Sequence, residues 1–263
     1  MIQEKEEGFY NRSLERALQI LNTFDTEKEN LTLAQISSIL TLPRATVLRL
    51  CSTLVKYSFL KQDPETKRYS LGIRLFELGS IVYNSFSLRR IASPHLSQLK
   101  MKVGTTVFLG TLNNDELLYM DKKEDPKNPV RFTSAIGRRR PPYWGMLGPA
   151  ILAHQSDSEI DRILDKHRLE PTAKKSFVNK EEFVAWLRQI REQGFAIDDE
   201  RAMDGISGVA APIRDASGRV FAAVGIAFIS SSLDSKGVDR IVKEATATAN
   251  NISRELGCTE IKE

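Results

Sequence analysis

The chain has 263 residues, an ordinary apolar content and a formal charge of +4, which allows two domains at roughly 100–200 residues each. A balance this mildly basic permits a nucleic-acid partner without demanding one. Two distant cysteines, Cys51 and Cys258, exclude a disulfide framework or a CxxC metal pattern, and no apolar run approaches the ~20 residues of a membrane span.

The charge is unevenly spread. Residues 1–42 hold four Lys/Arg against seven Asp/Glu, and residues 43–74 hold seven against two. The start, MIQEKEEGFYNRS, is polar and carries no signal-peptide pattern. Residues 1–11 are expected to be a flexible tail, and the compartment to be the cytoplasm with no membrane partner.

Ser13 is the predicted N-cap of a first helix, LERALQILNTF, with Leu14, Ala17, Leu18 and Leu21 inward. After the polar loop DTEKEN, Thr32 caps LAQISSIL, with Leu33, Ile36 and Leu40 inward. Pro43 then starts a third helix, where its missing N–H costs nothing. At 100° per residue, Val47, Leu48, Leu50, Cys51, Leu54 and Val55 gather on one side of it. Ala45, Thr46, Arg49, Ser52, Thr53 and Lys56 gather on the other. The turn between the second and third helices is tight enough for a helix-turn-helix. FLKQDPETKRYSLG follows as two short strands around the turn DPETK, a wing bearing Lys61, Lys67, Arg68 and Tyr69. A winged helix of this kind sets its third helix in the major groove; the alternative use is a protein contact.

From Gly72 a helical stripe of Leu75, Leu78, Val82 and Phe86 continues from Leu71, broadened by Phe76, Ile81 and Tyr83. An apolar helix like this needs a cover, and a second copy of the chain is the expected one. Pro94 is expected to start a fresh helix. From Gly104, TTVFLGTLNNDELLYMDKKE reads as two strands around an NND turn, and VRFTSAIG as a third strand. GMLGPAILAHQ, SEIDRILDKH and KEEFVAWLRQIREQG read as helices, the last stopped by Gly194. FAIDDE, SGVAAPIRDASG and RVFAAVGIAFI read as strands, and GVDRIVKEATATANNISREL as a terminal helix. Paired strands with flanking helices imply an antiparallel sheet and an α+β class.

Catalytic patterns are missing. The three histidines show no metal spacing, and no G-x-S-x-G elbow or P-loop occurs. Asp198, Asp199 and Glu200 are neighbours on one predicted strand and alternate between its faces, so they read as a solvated acid cluster near a turn. Arg138, Arg139 and Arg140 read as a solvated loop. No catalytic residue, metal site or cofactor is expected.

The ordered set SLERALQIL, LPRATVLRLCSTL, YSLG, GPAILA, GFAIDDE and GVAAPI resembles the IclR family of bacterial transcriptional regulators over nearly the whole chain. The resemblance implies a winged helix-turn-helix domain over 12–72 and a linker with dimerisation helices over 73–103. It implies a GAF-like (profilin-like) antiparallel-sheet effector domain over 104–263. It implies a regulator of an operon, repressor or activator, binding double-stranded DNA at an imperfect palindrome as a homodimer or homotetramer. A small organic acid or aromatic effector is the implied ligand. The residues it implies for DNA are Thr32, Arg44, Ala45, Thr46, Arg49, Thr53, Lys67, Arg68 and Tyr69. Those it implies for the effector are Gly145, Met146, Leu147, Asp198, Asp199, Gly208, Val209 and Ser230. The chain departs from the family pattern at four positions. Ala45 stands for a hydroxyl residue, Leu48 for a polar one, Pro149 for a basic one and Gly208 for a cysteine. Gly208 is expected to enlarge the pocket. Two readings remain open: a regulator gated by a small molecule, and a constitutive DNA-binding protein whose C-terminal domain only assembles oligomers.

Overall fold

The structure, a computed structural model, describes residues 11–25, 27–85, 87–124 and 135–259. It divides into two compact units, Met1–Ser85 and Phe86–Glu263. Residues 1–10 of the tail expected over 1–11 and most of VRFTSAIG lie outside the described residues, whereas Asn11 belongs to the start of the first helix. So do the side chains of Ile81, Val82, Tyr83 and Phe86.

In the first unit, α1 spans Arg12–Leu21, α2 Leu33–Leu40 and α3 Arg44–Lys56. The α1 cap is Asn11, not Ser13: its side chain accepts from the backbone N–H groups of Ser13 and Leu14 at 3.0 and 3.1 Å. An Asx side chain one residue before the helix reaches those donors. The buried face of α1 is also rotated from the expected one. Ile20 is fully buried and Phe24 beyond the helix joins it, whereas Leu14 and Leu18 are exposed. The chain bends by 114° between α2 and α3, as a helix-turn-helix does. Thr41 takes the left-handed conformation at the bend, with φ 52°. The wing pairs β1, Leu60–Gln62, with β2, Tyr69–Leu71. Its turn is organised by Asp63, whose carboxylate accepts from the N–H groups of Glu65 and Thr66. Ile20, Phe24, Leu31, Ile36, Val47, Cys51, Leu60 and Tyr69 form the core of this unit. Burial pushes the Cys51 thiol up to about 11, so it behaves as a small apolar residue. The helix α4, Ile73–Ser85, follows the wing.

In the second unit, α5 spans Ser87–Val103 without a break, and Pro94 lies inside it rather than at a new start. Pro94 is exposed, so the carbonyl that loses its partner there can turn to water. The strands β3 (Thr106–Asn113), β4 (Glu116–Lys123), β5 (Arg139–Arg140), β6 (Ala196–Met203), β7 (Ile206–Arg214) and β8 (Val220–Ile229) build one sheet. Its order is β5-β4-β3-β8-β7-β6, and every pairing is antiparallel. Between β3 and β4, Asn114 and Asp115 both take positive φ, the requirement of a tight hairpin turn. Arg139 and Arg140 are therefore an edge strand and not a solvated loop. Arg139 donates to the Asn113 carbonyl at 2.9 Å, and the Arg140 guanidinium lies 4.5 Å from the Trp144 ring centre.

Alternation along the strands sorts residues onto two faces. Val107, Leu109, Val209, Ala211, Val224 and Ile226 pack with α5 and with α9, Ser235–Glu255. Phe108, Ala196, Ala210, Ala223 and Ala227 pack with α6 (Leu147–Leu152), α7 (Asp157–Lys166) and α8 (Lys180–Gln193). The second face is made of small residues, so α6 lies close on it. Gly148 is required in α6, because a Cβ there would fall on the Pro142 carbonyl oxygen.

Candidate nucleic-acid interface and effector site

The outer face of α3 carries Arg44, Ala45, Leu48, Arg49, Ser52, Thr53 and Lys56, all exposed, with Thr46 half-buried at its border. Leu48 had been placed on the apolar face, but it is 48% exposed. On the wheel it sits at the margin, and the core is filled from Val47, Cys51 and their neighbours. Thr53 donates its hydroxyl proton to the Arg49 carbonyl at 3.1 Å. Arg44 and Arg49 make no side-chain hydrogen bond or ion pair with any described residue. Their guanidinium groups stand ready for an external acceptor, and Arg49 has the fork geometry that matches a guanine edge.

On the wing, Lys67 and Arg68 are exposed, and Arg68 donates to the Asn30 carbonyl at 3.2 Å. Tyr69 departs from expectation. It is 2% exposed and belongs to the core, because the alternation that puts Arg68 outward turns Tyr69 inward. Its side chain has no surface to offer DNA. Thr32 also departs in part. Its hydroxyl accepts from Gln35 N at 3.2 Å while its own N–H donates to Gln35 Oε1 at 2.9 Å, a closed capping box. That N–H is spent on the helix and is not offered to a phosphate.

The proposed effector residues do not all meet. Gly145, Met146, Leu147, Asp198 and Gly208 come together where α6 begins against the small-residue face. Val209 points to the opposite face, among residues packed on α5 and α9. Asp199 and Ser230 line a separate groove with Leu233, Asp234 and Val238 at the start of α9. Residues one apart on a strand cannot share a face, which separates Asp198 from Asp199 and Gly208 from Val209. The acid cluster is accordingly split. Asp199 is exposed and paired with Lys175 at 2.9 Å. Asp198 is 4% exposed and accepts from Arg201 N at 2.8 Å. Burial raises its carboxyl to about 6, against hydrogen bonds from the backbone of Arg201 and Ala202 that lower it.

Gly208 does not enlarge the pocket. A Cβ built on it would lie 2.7 Å from Met146 Sδ, so the methionine already occupies that space. Gly225, which the sequence reading passed over, plays the same part: its Cβ would lie 2.9 Å from Leu147 Cδ2 and 3.1 Å from Met146 Cε. The available signal was a glycine on the same face of each of two adjacent strands, at diagonal positions. A cleft of about 360 Å³, open mouth included, lies beside Gly145. Tyr143, Trp144, Phe177, Trp186 and Arg201 line it. The Arg201 guanidinium rests 5.0 Å from Phe177 and 4.9 Å from Trp186. Among the described residues no group of three or more His, Cys, Asp or Glu could hold a metal. No single described helix is long and apolar enough to cross a membrane.

Comparison with known proteins agrees with this architecture. Residues 13–64 match the IclR helix-turn-helix domain, and residues 81–254 match the bacterial transcriptional regulator IclR C-terminal domain. The chain is 30% identical over 246 residues to the HTH-type transcriptional regulator XynR of Escherichia coli (strain K12), covering 94% of this chain and 97% of that one. It is 28% identical over 245 residues to the HTH-type transcriptional regulator KdgR of the same organism, covering 93% and 92%. The crystal structure of an IclR transcriptional regulator from Alicyclobacillus acidocaldarius superposes with a TM-score of 0.84 at 28% identity, covering 95% of this chain and all of that one. A winged helix with an open basic face, an antiparallel sheet carrying α6, and these matches over both units place the chain in the IclR family of bacterial transcriptional regulators.

Proposed function

We propose that the chain regulates an operon by reading an imperfect palindrome in double-stranded DNA as a homodimer or homotetramer, under control of a small organic effector, acid or aromatic. The observation that carries the reading is the outer face of α3. Arg44 and Arg49 stand exposed there without a partner among the described residues, beside the small residues Ala45 and Ser52 that permit close approach. In this reading Arg49 reads base edges, with Ala45, Thr46 and Thr53 against the groove floor. Arg44, Lys67 and Arg68 hold phosphates. The exposed Leu71, Ile73 and Phe76 contribute to the surface covered by the second copy. The regulator works in the bacterial cytoplasm, on the nucleoid when bound to its operator. Gly145, Met146, Leu147, Asp198 and Gly208 form the effector site, and the ligand acts through different affinities for the DNA-competent and DNA-incompetent arrangements.

The test is selection of genomic fragments by the purified chain, with the selected site then titrated at two salt concentrations. Enrichment of a palindrome with half-sites about one helical turn apart, or a multiple of it, supports the reading. Weak binding everywhere overturns it. One observation favours the alternative of constitutive binding: Met146 fills the space above Gly208 and Gly225. Operator affinity unchanged by any metabolite of the neighbouring operon decides for that alternative.

A further inference from the structure

The small-residue face of the sheet and the side chain above it do not match in the usual way. Gly208 and Gly225 are adjacent across the β7–β8 pair, Gly208 facing Ala227 and Ala210 facing Gly225. Together with Ala210 and Ala227 they leave a shallow hollow under the start of α6. Nothing from the sheet fills it; Met146 fills it over Gly208 and shares the space over Gly225 with Leu147, at the distances given above. Asp198 is the register partner of Gly208 on the same face. Its Oδ2 lies 3.8 Å from where a Cβ on Gly145 would stand. A buried carboxyl thus borders the hollow that the thioether occupies. Methionine suits a removable occupant: it is unbranched, turns about three bonds and tolerates varied surroundings. The aromatic cleft lined by Trp144 and Gly145, its two preceding neighbours in the chain, lies beside it.

We propose that Met146 is an internal plug of the effector site, and that its thioether holds the place of a small apolar ligand bearing one hydrogen-bond donor, an alcohol or a phenol. The apolar part of that ligand lies on Gly208 and Gly225 and its donor meets Asp198. This rests on the effector reading above and narrows it.

Two measurements on the full chain test the plug, both read by tryptophan fluorescence. The chain has two tryptophans, Trp144 and Trp186, and both line the neighbouring cleft, so the signal belongs to the second unit. The first measurement is unfolding of Gly208→Ala, Met146→Ala and the double variant. Gly208→Ala is expected to lower the midpoint clearly in the unsubstituted chain and much less when Met146 is already Ala. Equal lowering in both backgrounds overturns the plug. The second is titration with phenol, toluene and benzoate. Met146→Ala is expected to bind phenol at least tenfold more tightly than the unsubstituted chain, with toluene and benzoate weaker. Equal phenol affinity in the two proteins overturns the plug, and benzoate binding more tightly than phenol overturns the ligand class. Met146→Val, which shortens the side chain with less loss of volume, serves both measurements if Met146→Ala does not fold. Operator binding is followed separately. Phenol that binds Met146→Ala without changing operator affinity refutes effector control and leaves the plug standing.

Discussion

At the scale of single residues, burial and free hydrogen-bonding capacity distinguish the groups that can act from those that hold the fold. Arg49 is exposed without a partner among the described residues, whereas Tyr69 two elements later in the same unit is sealed in the core. We expect Arg49→Ala to cost about 1–3 kcal/mol on the selected operator and to relax base preference at one position. Competition binding against substituted operators checks this; uniform loss on all sequences would make Arg49 a phosphate contact. Asp198 gives a pH prediction. Its folded carboxyl titrates near about 6 because it is buried, above the ordinary value near 3.9. The folded state therefore holds the proton more tightly than the unfolded state. That contribution is full below about pH 4 and is lost as pH rises through 6. Replacing Asp198 by Asn removes the penalty on the ionised form. The variant is expected to gain on the order of 2–3 kcal/mol relative to the parent between pH 4 and pH 7. Urea unfolding at both pH values measures it. Comparing the two proteins cancels His154, whose imidazole burial pushes down to about 4 and which titrates in the same window with the opposite sign.

At the scale of elements, caps and close approaches explain where helices begin. Thr32 and Gln35 close a capping box at α2, so Thr32→Ala is expected to cost about 0.5–2 kcal/mol of stability. Thr32→Ser, which keeps the hydroxyl, should restore most of it; loss with both substitutions would point to another role. Gly148 is the corresponding point of α6. Its missing Cβ leaves room for the Pro142 carbonyl, and backbone cannot give way as a side chain can. Gly148→Ala is expected to cost about 3 kcal/mol and to blue- or red-shift Trp144 emission as the preceding loop moves. The caps and turns were largely readable, because each depends on residues two to four apart. Thr32, Gly194 and the Asn114–Asp115 turn are of this kind. The inward face of α1 was not, because Leu14, Leu18 and Ile20 compete on hydropathy and only the position of α3 decides among them.

At the scale of the whole molecule, the exposed apolar residues and the concentrated charge give predictions about association. Phe76 is 71% exposed on α4, a large apolar area for a monomer to leave in water. Phe76→Asp is expected to weaken self-association, read by sedimentation, and with it the affinity for a palindrome more than for a half-site. A dimer that neutralises six or more phosphates should lose on the order of a thousandfold in affinity between 50 and 200 mM salt. A flat salt response would contradict the phosphate contacts proposed for Arg44, Lys67 and Arg68.

The sequence by itself determined most of the element order, the winged helix, the antiparallel α+β class and the family, because these depend on periodicity, turn residues and short motifs that are local in the chain; it missed the continuity of α5 through Pro94 and the edge strand at Arg139–Arg140. It also placed Arg49 on an open face, since one helix turn settles that; the exposure of Arg44 came from the structure. Strand alternation, which is local, separates Asp199 from Asp198 and Val209 from Gly208. Tertiary structure alone decided what surrounds the proposed effector residues and set Ser230 in a separate groove. The approach of α6 to a face of glycines and alanines put Met146 into the space that Gly208 had seemed to leave. Whether a missing side chain is a cavity or a seat for a neighbour depends on what packs across from it, and that neighbour lies more than sixty residues away in the chain.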